Sequence, residues 1–213
     1  MKNTRKSTTN TEELLREIQN IHAFLARRGE VSTPRAYAIL GRCFLALGQS
    51  DEARTYFRLA ATKARTIAES EAEPDQYADA AVFGRLAGDD SQYQENLDLA
   101  FRGLAAAPSS RTLQTLIHVC FLREDYPAVI QYMAQFAASD PEWTGPDMAV
   151  YHEHRFAHAY LAQDRAAMQR AADGLAELII LHDERITETS GLSLFELVTH
   201  AQDVLARWDT TQP

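Results

Sequence analysis

A chain of 213 residues, with 46% hydrophobic and 24% charged residues, is long enough to bury one sizeable core. Its formal net charge of -9 argues against an overall attraction to nucleic acid or to anionic lipid, so neither is expected as a partner. The chain has no apolar run of about 18 residues, and the polar segment after Met1 is unlike a secretory signal, which together predict a soluble cytoplasmic protein.

The chain begins with a polar, basic segment. Residues 1–10 show no apolar periodicity and are predicted to be a disordered tail. An amphipathic helix is then predicted from Thr11 to about Gly29, because apolar residues recur there every three or four positions. This leading helix is expected to pack against the element that follows it.

The most regular stretch, from Pro34 to Ala60, is predicted to form a helical hairpin. Gly41 lies inside the first helix, where glycine costs about 1 kcal/mol against alanine, so its lack of a side chain indicates close packing of another helix. The pattern is carried by Tyr37, Leu40, Gly41, Phe44, Gly48, Ala53, Phe57 and Ala60. This stretch resembles a tetratricopeptide repeat, whose pattern is W-x2-L-G-x2-Y, A-x3-F and P.

Three further hairpins follow with weaker agreement. Their anchors, Tyr77, Leu113 and His152, succeed Tyr37 at spacings a little above those of the family. A last helix is predicted after Ser193, where Ser-x-x-Glu is a capping box. The resemblance implies an all-α fold, a right-handed α-solenoid of about four hairpins in one domain over residues 11–208, with N- and C-terminal capping helices.

The resemblance also implies a binding surface. In tetratricopeptide proteins the first helices of successive hairpins line a concave groove, through the second, fifth, ninth and twelfth positions of each repeat. The candidate partner-binding residues carried over in this way are Arg35, Arg42, Arg85, Arg111, Gln114, His118, Phe121, Tyr151, His154 and His158. Arginine and histidine dominate this set, which favours an acidic or carboxylate-bearing peptide held by arginine forks. An error in register, or scatter of surface charge, would produce the same asymmetry.

A cluster of histidines is the densest polar feature. His154 and His158 stand at i, i+4, a spacing that could hold a transition metal, and His152 lies beside them. No Cys-x-x-Cys or second Glu-x-x-His supplies further ligands, so neither a metal nor another cofactor is predicted. The sequence also has no Gly-rich phosphate loop and no nucleophile elbow, and it is therefore not expected to be an enzyme.

These patterns predict a non-enzymatic scaffold that binds a peptide or protein in its groove, as an adaptor or regulator. One alternative is a dedicated inhibitor of the bacterial immunity-protein kind, which binds a toxin or an enzyme. A second alternative is a metal-dependent helical enzyme that uses His152, His154 and His158.

Overall fold

The computed structural model describes the backbone of residues 4–28, 34–139, 146–182 and 194–211. All regular structure in these residues is helical, which confirms the all-α prediction. The helices are α1 (Thr4–Arg28), α2 (Pro34–Ala46), α3 (Ser50–Glu71), α4 (Asp75–Leu86), α5 (Tyr93–Ala106), α6 (Ser110–Leu122), α7 (Tyr126–Ala138), α8 (Pro146–Leu161), α9 (Arg165–His182) and α10 (Leu194–Thr211). The predicted boundary residues Gly29 and Ser193 lie outside the described residues.

The chain divides into two compact units. The first unit comprises residues 1–73 and 79–93, and the second unit comprises residues 74–78 and 94–213. The boundary therefore falls within α4. The arrangement of a single repeat domain over residues 11–208 stays a prediction.

Helix α1 extends further towards the N-terminus than the sequence indicated. It begins at Thr4 and not at Thr11, so most of the segment expected to be disordered is helical. No glycine or proline occurs between these positions, and each residue added to an existing helix gains a hydrogen bond. The apolar stripe of α1 packs as predicted, since Ile18 and Ile21 form a buried cluster with Leu40 of α2.

Helices α2 and α3 form the predicted hairpin, and Gly41 explains how closely they approach. A Cβ atom at Gly41 would lie 2.8 Å from the nearest carbons of the buried Phe57 ring, so only glycine leaves room for that ring. Gly48 turns the chain with a φ of +75°, a conformation that suits glycine. The local pattern therefore specified both the turn and the contact.

In the second unit, α6 to α10 surround one core. Each of these helices packs against the next along the chain, and α6 also contacts α8 and α10. Fully buried side chains are contributed by every one of the five helices, including Leu116, Val129, Phe156, Leu175 and Leu197. Burial of each such side chain stabilises the folded state by about 1.5–3 kcal/mol, and this gain drives the packing of the helices.

Helix α10 covers residues of α6 and α8. The rings of His200 and Phe121 lie with their centroids 5.3 Å apart, and those of Trp208 and Tyr160 lie 5.2 Å apart. Arg207 also donates a hydrogen bond to Glu124, in the turn between α6 and α7. The α6 surface around Phe121 is consequently closed to solvent.

Candidate functional site

An apolar pocket lies between α7 and α8 in the second unit. It encloses about 590 Å³. Its walls are formed by Ile130, Met133, Ala134, Ala137, Met148, Tyr151 and His154. The four residues from α7 stand at i, i+3, i+4 and i+7, and this spacing places them along one face of the helix. The three residues from α8 face them at i, i+3 and i+6.

The composition of α7 distinguishes this surface from an ordinary solvated one. The helix contains no charged residue over its whole length, from Tyr126 to Ala138. Its buried side chains include Val129, Met133 and Phe136, which leaves a second, partly exposed face of alanine and glutamine beside the pocket. Depletion of charge around an apolar centre is typical of surfaces that bind another protein.

The α8 side of the pocket carries the polar groups. Tyr151 is 38% exposed, and the guanidinium of Arg155 lies 5.7 Å from the centre of its ring. His154 is half-buried and contacts the exposed His158, with ring centroids 4.5 Å apart. Burial lowers the pKa of His154, and the charge of His158 lowers it further, so this imidazole is neutral at neutral pH. The rim therefore presents an aromatic ring, one fixed cation and two imidazoles.

A buried histidine–glutamate pair joins α6 to α8. A 2.7 Å hydrogen bond links His118 Nδ1 to Glu153 Oε2, and the two residues are 3% and 0% exposed. The second carboxyl oxygen, Oε1, is buried and has no hydrogen-bond partner among the described residues. Burial raises the pKa of Glu153, while the His118 charge and hydrogen bond act in the opposite direction. The pair lies in the core and not on a surface that a partner could reach.

The predicted binding residues of the first unit are three arginines. Arg35 and Arg42 lie on α2, and the pKa of Arg42 is lowered by burial and then by the nearby charge of Arg35. Arg85 lies on α4 with its guanidinium 5.2 Å from the centre of the Tyr93 ring. The structure thus brings Arg35 and Arg42 near each other.

Two of the four predicted residues of α6 are buried and do not face an open surface. His118 and Phe121 are buried at 3% and 0% exposure, because Glu153 and α10 cover them. Gln114 is partly buried, and its Nε2 lacks a hydrogen-bond partner within the described part of the chain. The side chain of Arg111 lies outside the described residues.

The three predicted residues of α8 are brought together. Tyr151 and His154 line the pocket, and His158 contacts His154. The His152 ring contacts that of Tyr151, with centroids 5.4 Å apart, and also packs against α9: a Cβ at Gly174 would lie 2.2 Å from its Cε1. Across the described side chains, no group of three or more His, Cys, Asp or Glu could hold a metal ion.

Comparison with protein-family models, with curated proteins and with solved structures yields no match. The tetratricopeptide resemblance therefore stays a prediction. Within the helices described, none is both long and apolar enough to cross a bilayer.

The sequence patterns did not indicate the α7 wall of the pocket or the role of Glu153. Ile130, Ala134 and Ala137 belong to a second helix of a hairpin, whereas the groove was sought only on first helices. Their signal was the uncharged run 126–138. Glu153 was hidden in the polar run with His152 and His154, although it stands three and four positions before the buried Phe156 and Ala157.

Proposed function

We propose that this chain is a tetratricopeptide-like helical-repeat protein that recognises another protein, and that an amphipathic helix of its partner binds in the pocket of the second unit. In this proposal the hairpins form a right-handed solenoid with α1 and α10 as capping helices. The chain acts as a non-enzymatic adaptor or regulator in the cytoplasm. The observation that carries the proposal is the apolar pocket beside a helix without charges.

The dimensions of the pocket favour a helical partner. Two neighbouring helices form its walls, and a groove between helices accepts a row of side chains from a third helix at i, i+3, i+4 and i+7. A volume of about 590 Å³ holds more than one large apolar side chain. Burial of each such side chain in the pocket contributes about 1.5–3 kcal/mol to the free energy of binding.

Charges at the rim favour a partner with a carboxylate next to its apolar residues. Arg155 is exposed on α8 and its guanidinium stands over Tyr151, where it can donate to a carboxylate as the aromatic ring packs against the partner. The partner is thus expected to carry large apolar residues on one helical face with an acidic residue at its edge.

A pair of variants on α7 tests this proposal. Ala134→Glu places a charge in the pocket, whereas Gln135→Glu adds the same charge at an exposed position of the same helix that does not line the pocket. Each protein is immobilised, exposed to a lysate of the source cells and analysed by mass spectrometry. A partner retained by the parent and by Gln135→Glu should be lost from Ala134→Glu. Equal retention by all three proteins, with unchanged helical content, would place the binding surface elsewhere.

A further inference from the structure

His154 and His158 are placed to act as a pair of metal ligands. They stand one turn apart on α8, with ring centroids 4.5 Å apart and ring planes at 90°. An ion held by an imidazole nitrogen lies about 3.2 Å from the ring centroid, given a metal–nitrogen distance of about 2.1 Å. If one nitrogen of each ring faces the same ion, centroids 4.5 Å apart correspond to an angle of about 90° at that ion.

We propose that His154 and His158 form a two-imidazole site for a divalent transition cation, with Ni²⁺ or Cu²⁺ preferred to Zn²⁺ and water in the remaining coordination positions. A right angle between neighbouring ligands belongs to square-planar and octahedral geometries, whereas zinc in proteins is usually tetrahedral. The general order of affinity for nitrogen ligands also puts Cu²⁺ above Ni²⁺ among these ions.

The surroundings support this assignment. His158 is exposed, so an ion can approach from solvent. Both residues lie on α8, with His158 in its last turn, and helical geometry sets their spacing.

The site differs from the three-histidine enzyme centre considered from the sequence. His152 packs against Gly174 of α9, and its ring does not join the other two. The proposed site is therefore a binding site and not a catalytic centre. Because His154 also lines the pocket, a bound cation would stand at its rim and could accept a carboxylate from a partner in place of water.

Isothermal titration of untagged protein with NiCl₂ tests the assignment. The parent should bind one Ni²⁺ saturably. His154→Gln and His158→Gln should each weaken the apparent affinity by at least about ten-fold. The matched control is His22→Gln, which removes a histidine of the first unit whose Nε2 lies 3.4 Å from the Tyr56 hydroxyl oxygen. This control should bind like the parent.

Two results would overturn the assignment. One is the lack of saturable binding to the parent, and the other is a parental affinity in either His154→Gln or His158→Gln. Circular dichroism establishes that each variant is folded, and added Ni²⁺ should raise the melting temperature of the parent and His22→Gln only. No partner protein enters the titration, so its failure leaves the proposal of protein recognition untouched.

Discussion

Breaking the pair between His118 and Glu153 should destabilise the second unit by several kcal/mol. The two side chains are almost wholly buried and 2.7 Å apart, and Glu153 Oε1 already has no partner among the described residues. His118→Leu would leave a fully buried carboxyl group with neither oxygen satisfied. Leaving a buried polar group without its partner costs about 1–3 kcal/mol for a neutral group and about 3–5 kcal/mol for a charged one, because the group stays in a low-dielectric environment.

Replacing both residues should cost much less than either single change. Leucine is close in volume to both side chains, and buried pairs can often be exchanged for apolar residues at little cost. The double variant His118→Leu, Glu153→Leu is therefore expected to be more stable than either single variant. In a double-mutant cycle this result appears as a coupling energy of several kcal/mol between the two positions.

Urea unfolding followed by tryptophan fluorescence can measure these differences in the relevant unit. The chain contains two tryptophans, Trp143 and Trp208, and Trp208 lies on α10 in the second unit. Single-variant losses below about 1 kcal/mol, as found for exposed ion pairs, would refute the argument from burial. If the stability losses of the two single variants simply add in the double variant, the coupling energy is zero. That result would show that His118 and Glu153 do not stabilise the unit as a pair.

Three further predictions concern packing, pH and thiol reactivity. Gly41→Leu should lower the free energy of unfolding by roughly 1–3 kcal/mol, measured by circular dichroism, because any side chain there meets the Phe57 ring; an unchanged melting curve would contradict that contact. Since burial raises the pKa of Glu153, the folded unit holds a proton that the unfolded chain releases. Stability should therefore fall as pH rises above about 4–5, and Glu153→Gln should remove this slope. Burial raises the pKa of the Cys120 thiol to about 12 and also raises that of Cys43, so a thiol reagent at pH 8 should react with both only after unfolding; rapid labelling of the native protein would count against their burial.

The structural elements that were best predicted from the sequence are those that depend on residues close together in the chain. The α2–α3 hairpin follows from a pattern confined to residues 34–60, and the structure places Gly41 against Phe57 as that pattern requires. Turns near Gly48 and Gln163 were also found at their expected positions. In each case a local rule of packing or backbone conformation was sufficient.

Contacts between helices that are far apart in the sequence were poorly predicted. His118 and Glu153 are 35 positions apart, and each lies in a helix that shows both polar and apolar residues. Position in a repeat marked His118 and Phe121 as groove residues, but the covering by α10 could not be deduced from their own helix. The pocket was missed for a similar reason, because its two walls come from different predicted hairpins.

The contacts of α10 also constrain the order in which the protein can fold during synthesis. This helix supplies buried Leu197, Ala201 and Leu205 to the core of the second unit, although it follows α6 by more than seventy positions. Until the ribosome has released α10, its apolar partners on α6 and α9 have nothing to cover them. The nascent second unit therefore passes through an interval in which it exposes apolar surface, and a chaperone that binds such surface would find its best target then.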